Sequence, residues 1–189
     1  MAQLYFRYST MNAGKSTEVL KIAHNYEEQN KRVLLFTPSV DDRYGRGKIT
    51  SRMGFQRDAE VCTADTDLFE IAAEKKPDCI LVDEGQFLTR EQVVTLTRIV
   101  DRLNIPVIVY GLKNDYRNQL FPGSEALLLF ADKNEEIKAV CWHCPKKATM
   151  ILKYKDGKPV SEGEQVEIGG NESYISVCRK CYSKHVPLK

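Results

Sequence analysis

The stretch Tyr5–Thr17, YFRYSTMNAGKST, limits what this chain can fold into more than any other part of it. A short apolar run, Leu4–Phe6, leads into Ser9-x-x-x-x-Gly14-Lys15-Ser16. A strand, then Gly-Lys-Ser, then a helix is the form of a phosphate-binding loop. Such a loop makes three demands. Its backbone N–H groups must curl round an anion, which favours small residues such as Ala13 and Gly14. A lysine, here Lys15, must reach the β- and γ-phosphates. A hydroxyl, here Ser16, must meet a Mg²⁺. The helix that follows, expected from about Lys15 to Gln29, aims its positive end at the same phosphates. Ser9, Thr10, Met11, Asn12, Ala13, Gly14, Lys15, Ser16 and Thr17 are therefore candidate phosphate-binding residues. Ser9 stands where the pattern begins with Gly, but the tail AGKST is intact.

The chain has 189 residues, enough for one large α/β domain or one domain with a small appendage. A chain of this size buries roughly 70% of its unfolded surface, so it needs no disulfide framework. The formal net charge of +2 argues against a dedicated nucleic-acid binder. The N-terminus runs straight into a strand, with no signal peptide. No apolar run approaches the length of a membrane span. The expectation is a cytoplasmic protein with no membrane and no nucleic-acid partner. Its six cysteines then read as thiols or metal ligands rather than disulfides.

Apolar, β-branched-rich runs alternate with amphipathic stretches up to about residue 131. Strands are expected at Gln3–Tyr8, Arg32–Thr37, Asp78–Asp83 and Pro106–Tyr110, with a short one near Val61. The runs CILV and VIVY are apolar throughout, as parallel strands buried on both faces are. Helices are expected at Lys15–Gln29, Thr66–Glu74, Arg90–Leu103 and Ser124–Ala131. Thr89 and Gln92 have the spacing of a capping box ahead of the third. This alternation implies a P-loop nucleotide-binding fold of the RecA-like kind, a parallel sheet with helices on both faces. Ligands then sit beyond the C-terminal ends of the strands. Two stretches interrupt the pattern. Pro38–Asp58 is long and has no clear period. After about Asn134 the helical period disappears, and Asp156-Gly157 reads as a hairpin turn. The expected division is a nucleotide-binding domain over residues 1–133 and a small β-rich zinc-binding domain over residues 134–189.

Cys79-Ile80-Leu81-Val82 ends in Asp83-Glu84, the form of a Walker B strand. Its Asp83 would act on Mg²⁺, and Glu84, one residue on, can take a proton from an attacking hydroxyl or water. Cys141-x-x-Cys144 and Cys178-x-x-Cys181 are two knuckles separated by 33 residues. Four thiolates suit one tetrahedral structural Zn²⁺ and leave no open position for catalysis. Nearby His143 and His185 are not needed. Cys62 and Cys79 read as inert core residues. Arg43, Arg46, Lys48, Arg52 and Arg57 make the long interruption basic. Most read as solvated, and Arg43, after Asp41-Asp42, is the one to approach a phosphate. These residues define a Mg²⁺-dependent enzyme acting on a nucleoside triphosphate, with the acceptor left open.

MNAGKST, DDRYG, LVDEGQFL, IPVIVYGL, the two knuckles and GGNESYISVCRKCY follow one another from Gln3 to Cys181. In that order they resemble the cellular, type II, zinc-containing thymidine kinase family. The resemblance implies transfer of the ATP γ-phosphate to the 5′-hydroxyl of thymidine or deoxyuridine. Lys15 and Ser16 would hold the ATP phosphates and Mg²⁺, with Arg43, Asp83, Glu84, Gly85 and Gln86 beside them. Asp41 and Asp83 would order the metal, and Glu84 would be the catalytic base. Met11, Gln86, Phe87, Leu112, Tyr116, Phe121 and Thr149 would line the nucleoside pocket. Gly169, Gly170, Asn171, Glu172, Ser173, Tyr174 and Ile175 would form a lasso over the base. It further implies a homotetramer inhibited by thymidine triphosphate. Gly85 is expected to decide little, and Tyr116 stands where Phe is common, adding a hydroxyl that needs a partner. Two other classes fit the motifs less well. A nucleic-acid-dependent ATPase would need a basic stripe with stacking platforms. A nucleotide-holding zinc adaptor would not need Glu84.

Overall fold

In the computed structural model of the chain, residues 1–39, 45–165 and 174–188 are described. The expected alternation is there. Six parallel strands form the main sheet: β1 (Leu4–Ser9), β2 (Val33–Pro38), β5 (Glu60–Cys62), β6 (Cys79–Val82), β7 (Val107–Leu112) and β8 (Lys133–Glu136). Their order across the sheet is β5-β2-β6-β7-β1-β8. The strand period of two sorts the side chains between two cores. Leu4, Phe6, Leu34, Phe36, Ile80, Val82, Val107 and Val109 face three helices, α2 (Leu68–Lys75), α3 (Arg90–Arg98) and α4 (Pro122–Phe130). Leu35, Cys79, Leu81 and Tyr110 face Val19, Leu20 and Ala23 of α1 (Lys15–Glu27). A sheet covered on both faces needs apolar residues at every position, which is why CILV reads as unbroken hydrophobicity.

Local signals place the helix ends. The Asp67 side chain accepts from the N–H groups of Phe69 and Glu70 at the start of α2. The capping box is formed at α3: Thr89 Oγ1 accepts from Gln92 N, and Gln92 Oε1 accepts from Thr89 N. The α-helix stops at Arg98, and Ile99–Leu103 continues as a wider turn ending on left-handed Asn104.

Two elements escape the apolar pattern. Strand β8, Lys-Asn-Glu-Glu, extends the main sheet alongside β1, so the change of texture near residue 133 falls at its start. It is an edge strand, and edges carry charge rather than apolar alternation. The second is a hairpin of β3 (Lys48–Thr50) and β4 (Gln56–Asp58), within the interruption that showed no period. Its strands are mostly exposed, so only Ile49 among their residues is buried.

A second sheet follows. Strand β9 (Met150–Lys155) pairs antiparallel with β10 (Lys158–Val160) and with β11 (Tyr174–Val177). Asp156 and Gly157 both have positive φ, 52° and 73°, as a two-residue hairpin of this twist requires. Behind it, Leu152, Val177, Tyr182 and Val186 pack with Cys141, Cys178 and Cys181.

Candidate active site

The candidate phosphate loop runs from Ser9, the last residue of β1, to Lys15, the first of α1. Gly14 caps the helix with φ 79°, a left-handed conformation that favours glycine. Asn12 is also left-handed, at φ 62°. Lys15 is buried, and its Nζ donates to the Thr10 carbonyl at 2.9 Å. The Ser9 hydroxyl turns away from the loop, and its Oγ donates to the Ile137 carbonyl at 2.6 Å. The side chain that departs from the Gly pattern thus ties the loop to the chain just after β8.

Beyond the C-terminal end of β6 come Asp83 and Glu84. Asp83 is buried, its N–H bonded to the Phe36 carbonyl at 3.0 Å. Burial, with the Glu84 charge next to it, pushes its carboxyl up to about 7. A hydrogen bond from Ser16 and the Lys15 ammonium pull the other way. Ser16 and Asp83 thus meet, as a shared metal site needs. Glu84 has φ 53°. A non-glycine residue there costs roughly 1–2 kcal/mol. Its Oε2 accepts from Gln86 Nε2 at 2.5 Å, and Gln86 Oε1 accepts from Leu112 N at 3.0 Å. The amide of Gln86 therefore aims the carboxylate and ties it to the end of β7.

Gly85 matters more than the sequence suggests. A Cβ there would lie 2.1 Å from Val109 Cγ1. Gly111 and Gly123 close the same corner: Cβ atoms on them would meet Gln86 Oε1 at 2.8 Å and the Gly85 carbonyl at 2.4 Å. Three glycines far apart in sequence let the turn after β6 press against β7 and the start of α4.

The other wall is aromatic. Tyr116, Ile151 and Tyr174 form a buried cluster on which Met11 and Leu112 pack. The rings of Tyr116 and Tyr174 lie 6.2 Å apart. Phe87 and Phe121 make an edge-on pair at 5.8 Å. The extra hydroxyl of Tyr116 has its partner, the Glu164 carbonyl at 2.9 Å. Lys153, also buried, sets its ammonium 4.6 Å from the Tyr116 ring centre and 5.8 Å from that of Tyr174.

One expected pocket residue sits elsewhere. Ile175 packs against the cysteine core, because side chains alternate along β11 and Tyr174 takes the pocket face. Thr149, half-buried, bonds through its N–H to the Val177 carbonyl, while Ile151 joins the aromatic cluster. No motif marks Ile151 or Lys153. The alternation of β9, with Ile151 and Lys153 on one face, is the signal that points to them. Asp41, Arg43, Gly169, Gly170, Asn171, Glu172 and Ser173 lie outside the described residues.

The four knuckle cysteines converge, their sulfur atoms all within 4.8 Å of one another. Cys144 Sγ is 3.7 Å from both Cys178 Sγ and Cys181 Sγ. Four thiolates at Zn–S bond length round one tetrahedral centre stand about 3.8 Å apart, so the donor set fits zinc. Desolvation and the neighbouring thiols push Cys181 up to about 12. Desolvation also opposes ionisation of Cys141, but backbone hydrogen bonds outweigh it and draw that thiol down to about 7. The isolated thiols Cys62 and Cys79 are each pushed up to about 11, by burial above all, and are inert. One residue joins cluster to loop: Ser176, on β11 two residues before Cys178, donates from Oγ to the Met11 carbonyl at 2.6 Å.

The thymidine kinase family model matches residues 2–182. A thymidine kinase of Listeria monocytogenes serotype 4b is 59% identical over 192 residues, spanning 100% of both chains. One from Lactococcus lactis subsp. lactis is 57% identical, over 97% of this chain and 98% of that one. One from Streptococcus pyogenes serotype M3 is 55% identical, over 96% and 97%.

Proposed function

The chain belongs to the thymidine kinase family, and from that premise we propose how its residues transfer the γ-phosphate of ATP to thymidine in nucleotide salvage. One observation carries the assignment of roles. Asp83 and Glu84 are joined to the phosphate loop through Ser16 and to the aromatic cluster through Gln86 and Leu112. The donor lies on the loop, with Lys15 on its β- and γ-phosphates. Thymidine or deoxyuridine lies against Met11, Leu112, Tyr116, Ile151 and Tyr174, with Phe87 and Phe121 behind.

Glu84 takes the proton of the 5′-hydroxyl. The oxygen so freed forms a bond to the γ-phosphorus, and the bond from that phosphorus to the β,γ-bridging oxygen breaks. The products are thymidine monophosphate, ADP and the proton on Glu84. Gln86 holds the Glu84 carboxylate in place. Ser16 and Asp83, with Asp41, would hold Mg²⁺, which when bound offsets charge on the β- and γ-phosphate oxygens. By the family resemblance, Arg43 would approach the transferring phosphate. The four cysteines hold a structural Zn²⁺ that fixes β11 and so the Tyr174 wall. By the same resemblance, Gly169–Val177 would close over the base and read its edge with backbone groups.

Further parts of the reading rest on the family. They are a cytoplasmic homotetramer, inhibition by thymidine triphosphate spanning both sites, and α3 as an interface element. Among the described residues no helix is long and apolar enough to cross a membrane. Light scattering with and without ligand tests the assembly.

The direct test incubates the protein with ATP, Mg²⁺ and each nucleoside and looks for the 5′-monophosphate. Thymidine and deoxyuridine should be converted. Deoxycytidine reverses the donor–acceptor pattern at N3 and position 4, and each unpaired buried group costs about 1–3 kcal/mol. Comparable kcat/KM for deoxycytidine and thymidine would refute the proposed readout of the base.

A further inference from the structure

The β3–β4 hairpin has no part in the chemistry above, yet it touches the phosphate loop. Arg52, at its tip, donates from Nη2 to Oδ1 of Asn12. The tip is a built turn rather than a loose one. Ser51 N donates to the Phe55 carbonyl at 2.8 Å, Ser51 Oγ accepts from Phe55 N at 3.2 Å, and Gly54 N donates to the Ser51 carbonyl at 3.0 Å.

The hairpin is also anchored on the helix that begins at the loop. Ile49 is buried against Val19, Leu20 and Ala23 of α1. Arg57 Nη2 reaches Glu27 Oε2, near the end of α1, at 3.0 Å. The hairpin is thus packed on α1, and the Arg52 guanidinium reaches the phosphate loop.

A guanidinium has five donors in a planar fork, and Asn12 takes up only part of that capacity. A phosphate oxygen is a stronger acceptor for it than a neutral amide oxygen. Asn12 is exposed and left-handed in the very loop whose backbone is to surround the anion. We propose that Arg52 is a donor-binding residue, which Asn12 holds at the loop and which bonds a non-bridging oxygen of the bound triphosphate. The inference rests on the reading of Ser9–Thr17 as the donor phosphate site. It adds a second arginine to the donor side, nine residues after Arg43 in the same long interruption.

The test compares wild type, Arg52→Ala, Arg52→Lys and Lys48→Ala by titration calorimetry on the full chain. Lys48 lies at the hairpin base, paired with Asp58 at 3.1 Å, and serves as a charge-matched control. The probes are Mg-ATP, magnesium tripolyphosphate and thymidine. Arg52→Ala should weaken both phosphate probes about tenfold, with thymidine affinity kept within about twofold. Arg52→Lys should recover part of the loss, since it restores charge without the fork. Lys48→Ala should bind all three as wild type does. In wild type, added salt should weaken Mg-ATP binding more steeply than in Arg52→Ala. If Arg52→Ala binds both phosphate probes like wild type, the inference fails alone. If it loses phosphate probes and thymidine equally, Arg52 is merely structural and the inference fails. If wild type itself binds neither phosphate probe, the loop reading falls and takes this one with it.

Discussion

The two halves of the site are built in opposite ways. The proposed donor side is a short run of chain, Ser9–Thr17, together with the end of β6, set on a parallel sheet covered on both faces. The acceptor side gathers Met11, Leu112, Tyr116, Ile151 and Tyr174 from four separate segments. In the core of its small sheet the cysteines that would hold metal pack with Leu152, Val177, Tyr182 and Val186. The donor side borrows rigidity from a large apolar core. The acceptor side rests on the cysteine cluster, on the Ser176–Met11 bond and on aromatic packing. An anion can be held by backbone N–H groups of one loop, whereas a flat base needs walls from several directions.

The largest effect should fall where the halves meet. Glu84→Gln keeps the size of the side chain and removes the base, so kcat should drop at least about 100-fold while ATP still binds. A variant that keeps most of its kcat would show that Glu84 is not the base, and that the two halves meet elsewhere.

Next comes Cys178→Ser. Wild type should carry one zinc per chain by elemental analysis. The variant should release it and lose thymidine affinity on the order of tenfold or more, because metal binding and folding of such a site are one event. Mg-ATP affinity should change little. Equal loss on both sides, or zinc-free wild type that is folded and active, would break the comparison.

A smaller effect is expected at Tyr116→Phe. The hydroxyl donates to the Glu164 carbonyl, and its removal should weaken thymidine binding by about 2- to 10-fold without touching ATP. No change in either affinity would mean that the hydroxyl merely decorates the wall.

The remaining effect is a pH dependence of stability confined to the donor side. Asp83 has an ordinary value of 3.8 and is pushed up to about 7 in the fold by burial and by Glu84. Between those values the folded state binds more protons than the unfolded one, so stability falls as pH rises through that window. Below it the group makes no difference, and above it the full penalty stays. Asp83→Asn lacks that penalty. In Mg²⁺-free melts at pH 5 and pH 8, wild type should lose more Tm than the variant. A penalty of 1 kcal/mol corresponds to roughly 2–4 °C at this size. Parallel losses would show that Asp83 is not the buried acid described here.

Much of the donor side is legible in the chain. AGKST and CILVDE are contiguous, and their chemistry follows from local order: strand, tight turn, helix, or apolar strand ending in acids. The alternation of elements, the capping box of Thr89 and Gln92, the Asp156-Gly157 turn and each Cys-x-x-Cys knuckle are local as well. The zinc ligands need only their types and spacing, since four thiolates that can reach one centre are driven to it by the metal.

Tertiary structure decided what depends on distant neighbours. Edge strand β8 has no apolar pattern to announce it, because one side of it has no partner to bury against. The weight of Gly85 comes from Val109 and Gly123, which no reading along the chain sets beside it. The pocket face of β9 and β11 took Ile151 and Tyr174 and turned Ile175 to the cysteine core, a choice of face that register alone makes. Along the chain Arg52 reads as one more solvated charge; the burial of Ile49 and the Arg57–Glu27 pair carry it to Asn12. Chemistry held within a few consecutive residues is written in the chain, because bond geometry sets those distances. Chemistry shared between segments waits for packing to bring them together.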